Sequence, residues 1–269
     1  MSIGFVSFSG GDFLWRASLR RIRQQAFGAK AFSKVGIYTP EDLRHLTTPR
    51  ECEFIENNPR GFGYWIWKPL IVLNFLNLNP DIDKVLYADA GCDLNFNSDS
   101  NVNWVRYMNE LESHDAIVFK MELIERHWTK QEVFDTFPEW EKFRDSEQIL
   151  GGVFLMNRDF AFKFCNEWIE NMRKNSYSLV TNEFDSTIQD SNFVQPRHDQ
   201  SIFSLLVKQE SNVLVLDSLQ ELYFEPNWHR GKKHPIWTSR NKSGIPKYNM
   251  TLPARILRLA ERVLRRLFI

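Results

Sequence analysis

Cysteine is scarce. Cys52, Cys92 and Cys165 are the only three in 269 residues, odd in number and far apart. That excludes a disulfide-stapled scaffold, points to a reducing compartment and matches no zinc-site spacing. No apolar run reaches the roughly 18 residues that a membrane-spanning helix needs. The opening Met1-Ser2-Ile3-Gly4-Phe5 has no basic region ahead of an apolar stretch, so a signal peptide is not expected. Net charge is absent too: 34 basic residues balance 34 acidic ones, and 43% of the chain is hydrophobic, which excludes disorder. Missing as well are a Gly-x-Gly-x-x-Gly after the first apolar run, a phosphate-loop Gly-Lys-Ser/Thr and a Gly-x-Ser-x-Gly elbow.

Aromatics are plentiful, with 22 Phe and 9 Trp, which fits either a Phe-rich core or a stacking surface. The zero net charge hides an asymmetry. Residues 225–269 hold eleven basic residues against two acids, a net of +9, so the first 224 carry −9. A basic end on an acidic body suits an anionic partner.

Strand-like apolar runs at 3–8, 35–38, 84–88, 116–120, 153–156 and 213–216 alternate with helical spacing at 13–27, 101–112, 160–174 and 199–208. The alternation predicts an α/β domain with a largely parallel central sheet flanked by helices. Thr39 is placed to cap a helix opened by Pro40, and Pro69 fits the first turn of a helix running to about Asn77. Residues 131–144 read as a helix broken at Pro138, and 176–195 as a long loop. The one boundary lies near Tyr248, giving a domain over 1–248 and a tail over 249–269.

Four segments carry candidate chemistry. Val85-Leu86-Tyr87-Ala88-Asp89-Ala90-Gly91-Cys92-Asp93 is an apolar strand delivering an acid at its C-terminal end, where open α/β sheets bind ligands. Asp89 and Asp93 could share a cavity and a hard divalent cation, or simply cap a turn. Arg197-His198-Asp199-Gln200 opens an amphipathic helix. Asp199 is either an N-cap or an acceptor-side acid or base, with His198 and Gln200 orienting sugars. Gly61-Phe62-Gly63-Tyr64-Trp65-Ile66-Trp67-Lys68 suits a sugar stacked on Trp65 or Trp67 and a phosphate on Lys68, or a hydrophobic anchor for the next helix. The fourth, residues 227–240, mixes His229, His234, Trp237 and Arg240 with lysines, as would a basic lid over a diphosphate or a solvated loop. Either histidine could add a nitrogen ligand to the metal.

In this order the segments resemble GT-A glycosyltransferases, the single-domain nucleotide-sugar fold. Ser7-Phe8-Ser9-Gly10-Gly11 stands where that fold begins its nucleotide pocket, and Asp89-Ala90-Gly91 stands at its metal-binding Asp-x-Asp. Gly151-Gly152-Val153-Phe154 and His198-Asp199-Gln200 resemble its acceptor side. The closest likeness, in Gly61 to Pro69, Asp89-Ala90-Gly91-Cys92, His198-Asp199-Gln200 and Pro235 to Arg240, is to bacterial transferases that build O-antigen and capsular glycans, and the resemblance covers about residues 1–245. The resemblance implies transfer of a hexose, such as a galactose form, from a UDP-sugar to a hydroxyl of a lipid-linked surface glycan. It implies a manganese or magnesium ion at Asp89; where Gly91 replaces the second acid, either Asp93 or a histidine such as His234 completes the set, or metal dependence is weak. The donor would be held by Ser9, Gly10, Lys68, Asp89, Ala90, Gly91 and Arg240, and the sugars by Trp65, Trp67, Gly151, Gly152, His198 and Trp237. Asp199 would be the base of an inverting enzyme; in a retaining one, Asp199 or Gln200 would line the face under the sugar.

In residues 252–269, Ile256, Leu259, Ala260, Val263, Leu264 and Leu267 fall at helical spacing, with arginines covering the remainder. A basic amphipathic helix suits an anionic membrane surface, or docks on its own domain. The expected place is the inner face of the cytoplasmic membrane, as a peripheral protein. The alternative to an enzyme is a carbohydrate- or nucleotide-binding module without turnover. Nucleic acid is not expected as a partner, because the body is acidic and no nucleic-acid motif is present.

Overall fold

The computed structural model describes residues 2–11, 13–222 and 233–246. His229, Arg230 and Lys232 of the basic segment, and the tail over 249–269, lie outside the described residues. Strand β1 (Ile3–Phe8) is fully buried and starts the sheet. It is followed by the Phe13–Ala29 helix and β2 (Lys34–Tyr38). Two capped helices come next, Pro40–Leu46 and Pro49–Asn57. Thr39 with Asp42, and Thr48 with Glu51, exchange side-chain and backbone bonds that satisfy the free N–H groups of a helix start. The first of these caps is legible from the sequence; the second helix is an addition to that reading.

The Trp67–Leu78 helix leads to β3 (Lys84–Ala88), the two-residue β4 (Asp93–Leu94), the Ser98–Glu110 helix and β5 (Ala116–Ile124). Then come β6 (Glu147–Ile149), β7 (Val153–Asn157), the Arg158–Arg173 and Asp199–Gln209 helices, β8 (Val213–Asp217) and β9 (Ile236–Trp237). The expected helix over 131–144 is only two short turns, Gln131–Phe134 and Trp140–Lys142, on either side of Pro138.

The central sheet runs β2-β1-β3-β7-β5-β6, with β8 on β5. Strands β1, β2, β3, β5 and β8 point one way; β6 and β7 run against them. The sheet is therefore mostly parallel but mixed, and β9 closes a separate ribbon with β4.

Period-two alternation sends neighbouring side chains to opposite faces. Val6, Val85, Tyr87, Phe154 and Met156 join one core with Phe75, Phe164, Trp168 and Phe203 from the helices. Phe5, Leu86, Leu155, Ile117 and Phe119 join the other with Leu19, Ile22 and Tyr107. Helices thus cover both faces, and most of the phenylalanine content is core. Among the described residues no helix is long and apolar enough to cross a membrane.

Candidate active site

The ends of β1 and β3 open onto a cavity of about 1250 Å³. Parallel strands present their carboxyl ends together, so the residue after each buried run emerges at one edge. Strand β3 is apolar and wholly buried up to Ala88, and Asp89 is the first residue past it. The Asp89 amide donates to the Gly152 carbonyl at 2.9 Å, extending the β3–β7 ladder and fixing the carboxylate. A Cβ on Gly152 would lie 2.8 Å from Asp89 Oδ2, so a side chain there would push the carboxylate aside. The buried Tyr87 hydroxyl donates to Asp89 Oδ1 at 2.6 Å. Burial, then the Asp89 charge beside it, holds that phenol well above its ordinary pKa, so it stays a donor.

Lys68 reaches the same edge through an unusual turn. Gly61, Phe62, Gly63, Tyr64 and Trp65 all have positive φ, between 53° and 76°. This is one turn of left-handed helix, and its three non-glycine members cost about 1–2 kcal/mol each. Strain of that kind persists where surrounding structure enforces it, often at functional sites. The turn sets Trp65 on the cavity wall and starts the Trp67–Leu78 helix with Lys68 directed inward.

Lys68 is only 4% exposed. Its ammonium donates to the Gly151 carbonyl at 3.0 Å and lies 2.9 Å from Asp199 Oδ2 and 3.7 Å from Asp89 Oδ1. Burial alone would lower its pKa, but Asp199 and then Asp89 outweigh that and raise it, so the charge is fixed. Asp199 is equally buried, whereas the Asp89 side chain is 43% exposed and looks into the cavity. Burial raises Asp199 to about 6 despite the opposing Lys68 ammonium; Asp89 adds to the rise.

Gln200 is held from both ends. Its Oε1 accepts from the Gly151 amide at 3.2 Å, and its Nε2 donates to Gln148 Oε1 at 2.7 Å. Gln148 in turn donates to the buried Glu125 at 3.1 Å, which Lys208 neutralises at 2.7 Å. His198 has φ 56° and ψ −124°, so the chain turns sharply just before the Asp199–Gln209 helix. Its Nδ1–H donates to the Val180 carbonyl at 2.7 Å, and its ring lies 4.7 Å from that of Tyr64. Burial lowers its pKa to about 4, so it is neutral at physiological pH.

The structure brings together Ser9, Gly10, Trp65, Trp67, Lys68, Asp89, Ala90, Gly91, Gly152, His198, Asp199, Gln200 and Arg240 around this one cavity. Four residues singled out in the sequence stand elsewhere. Gly151 is behind the wall, holding Lys68 and Gln200 with its backbone. Asp93 is fully buried away from the cavity, with Arg21 at 2.9 Å, Ser239 at 2.7 Å, Gln25 at 3.0 Å and Asn241 at 3.1 Å. Its oxygens are already occupied by protein donors, so it does not pair with Asp89 on a cation. His234 is also off the cavity, its carbonyl accepting from Asn95 and Trp237, so it does not reach Asp89. Trp237 is buried in the β4–β9 ribbon and offers no face to a sugar. Trp67 borders the cavity but is 3% exposed, its ring 3.9 Å from Phe8, so it supports the floor.

The sequence reading missed Arg44, Arg60 and Lys242 on the wall and gave Arg197 no role. Adjacency to Gly61 and to His198 was the available signal for Arg60 and Arg197; nothing local marks Arg44. With Lys68 and Arg240, six cations face three acids, Glu56, Asp89 and Asp199. The cavity therefore suits a polyanionic ligand.

No family model matches this chain, and no curated protein matches it. Solved structures do. A glycosyltransferase involved in glycosylation of the major capsid of PBCV-1 is similar at 10% identity and a TM-score of 0.50, over 97% of this chain and 100% of that one. The galactosyltransferase LgtC, solved with donor and acceptor sugar analogues, has 14% identity and a TM-score of 0.42 over 87% and 86% of the two chains. Mouse xyloside xylosyltransferase 1 has 11% identity and a TM-score of 0.43 over 91% and 100%. The first of these likenesses, together with the mixed and mostly parallel sheet, shows an α/β fold of the GT-A type.

Proposed function

We propose that this chain is a glycosyltransferase that moves a hexose from a UDP-sugar to a hydroxyl of a glycan acceptor. The observation that carries the reading is Lys68, buried between Asp89 and Asp199 on the floor of a cationic cavity at the strand ends. Breaking the bond from anomeric carbon to phosphate builds negative charge on the departing diphosphate. Fixed cations already in place stabilise that charge without reorganising. Arg240, whose Cα would be 3.6 Å from a Cβ on Gly91, and Lys242, 4.7 Å from the Trp15 ring, line the cavity together with Lys68. The anomeric carbon becomes oxocarbenium-like as the bond lengthens. Asp199, poised at about 6, takes the proton of the acceptor hydroxyl in an inverting transfer; in a retaining one it lines the face beneath the sugar.

Among the described residues no three of His, Cys, Asp and Glu converge as a metal cage. Asp89 alone fits a magnesium or manganese ion in the mode that relies on substrate phosphates and water for the other ligands. Such an ion, when bound, would add charge neutralisation at the diphosphate.

The test is nucleotide release from a panel of UDP-sugars with and without magnesium or manganese. Release that Asp89→Asn reduces supports the site; release that survives it unchanged removes Asp89 from the assignment. Glycan binding with no release from any nucleotide sugar would favour a binding module instead. The acceptor we propose is lipid-linked, in bacterial O-antigen or capsule assembly, with residues 249–269 holding the enzyme to an anionic membrane. The arginine-covered helical spacing in that tail supports this. Deleting 252–269 should abolish sedimentation with anionic liposomes, and sedimentation that persists rejects the anchor.

A further inference from the structure

Three of the six wall cations are not used by the donor reading. Lys68, Arg240 and Lys242 serve the diphosphate side, and Arg44 stands apart on the Pro40–Leu46 helix. Arg60 and Arg197 are carried by other loops, one leading into the left-handed turn and one leading into Asp199. Neither has a carboxylate within 4.0 Å among the described residues, since no ion pair includes either.

Both are nevertheless held in place. Arg60 donates to Asn182 Oδ1 at 3.0 Å, and Asn182 donates to the Tyr64 hydroxyl at 3.1 Å. Tyr64 stacks on His198, the residue between Arg197 and Asp199. The Arg197 guanidinium lies 4.3 Å from the Trp128 ring, a stacking that leaves its edge to bind a ligand. Its Nε is buried and has no hydrogen-bond acceptor. Burial, then Arg240 and Arg60, lower the Arg197 pKa, which is the signature of like charges gathered without a counter-ion. A buried charge perturbed in this way on a cavity wall marks a candidate binding group.

We infer that Arg60 and Arg197 form an oxyanion subsite for the acceptor, which carries a carboxylate or a phosphate ester near the hydroxyl that is glycosylated. The inference rests on the proposed transfer reaction and names the substrate class at the same site. Two guanidinium forks read such a group bidentately, and their place next to Asp199 brings the neighbouring hydroxyl to the base.

The experiment compares three acceptors of one ring type: a uronic acid glycoside, a glycosyl phosphate and the neutral glycoside. One or both charged acceptors should show a KM roughly tenfold below the neutral one, the scale of a charge-assisted hydrogen bond. Arg197→Gln and Arg60→Gln should each close that gap, with less than about a twofold change in donor KM by the same reasoning. Arg60 is exposed, so its variant tests the idea without disturbing the fold. Preference for the uronate or for the phosphate identifies the source of the charge. Equal use of the neutral acceptor overturns the proposal. So does a rise in donor KM in place of acceptor KM, which would assign both arginines to the donor. If no donor is turned over at all, the transfer reading fails by itself. The subsite is then judged by calorimetric titration with glucuronate and with inorganic phosphate. Binding lost in the double variant keeps the subsite, and no binding to wild type removes it.

Discussion

Asp89 and Asp93 are four residues apart and each faces a buried cation, yet the two centres differ in kind. Asp93 sits with Arg21 in a closed network. The guanidinium donates to the carbonyls of Ala90 and Cys92 at 2.8 Å and of Asn241 at 2.9 Å, and also to that of Ser243. The carboxylate accepts from Gln25, Ser239 and Asn241 besides pairing with Arg21. All of these groups are satisfied by protein, and the network ties the 239–243 segment to the loop after β3. The Lys68 centre has two acids for one ammonium, and one of them, Asp89, is open to the cavity. Saturation marks a structural centre, and incomplete satisfaction beside a cavity marks a functional one.

The sharpest way to break this comparison is Asp93→Ala. It leaves the Arg21 charge buried and unpaired, so it should cost about 3–5 kcal/mol, a melting temperature lower by roughly 10 °C. A thermal melt unchanged from wild type would refute the structural role.

Asp199→Asn should act mainly on turnover. It takes the nearer acid from buried Lys68 but leaves Asp89 beside the ammonium, so the melt should fall less than in Asp93→Ala. Turnover should fall about 10²- to 10⁴-fold, the range for losing a general base. A large loss of stability with turnover retained would make Asp199 the structural residue.

Gly152→Ala is a subtler probe, because its Cβ would press on Asp89 Oδ2 at 2.8 Å. We expect a roughly 10- to 100-fold loss in kcat/KM with the melt nearly unchanged, since small misplacements at a reacting centre are costly. An unchanged kcat/KM would show that the carboxylate position is not critical.

The smallest effect is in pH. Asp199 at about 6 is protonated as pH falls, so the base form and the rate are lost on the acid side. At pH 5 the rate should be about a tenth of its plateau, and His198, near 4, does not contribute to that limb. A plateau extending to pH 5 would exclude Asp199 as the base.

Much of the sheet was legible because burial on both faces leaves continuous apolar runs, as at 3–8, 84–88 and 153–156. The Thr39 cap was legible for a similar reason, since its partners lie within four residues. The second helix, Pro49–Asn57, carries the same capping chemistry, but Pro49 and Thr48 follow so closely on the first helix that the two run together. The ribbon of β4 with β9 was not legible, because its two strands are only two residues each and lie far apart in sequence. Within the candidate site, Asp89, Lys68 and Asp199 could be named because each follows or opens a recognisable element. Gly151, Asp93, His234 and Trp237 are of suitable type, but the fold seats them off the cavity lining.

The sequence alone determined which segments end at the sheet edge: apolar periodicity fixes where a buried strand stops, and stopping places the next polar residue at the ligand face. Only the tertiary structure decided the partners. The cation of Asp93 comes from Arg21, 72 positions earlier, and the pair on Lys68 spans 131 positions, from Lys68 to Asp199. Long-range ion pairs leave no local pattern in a chain, because each partner's energetics depend on burial that other segments create.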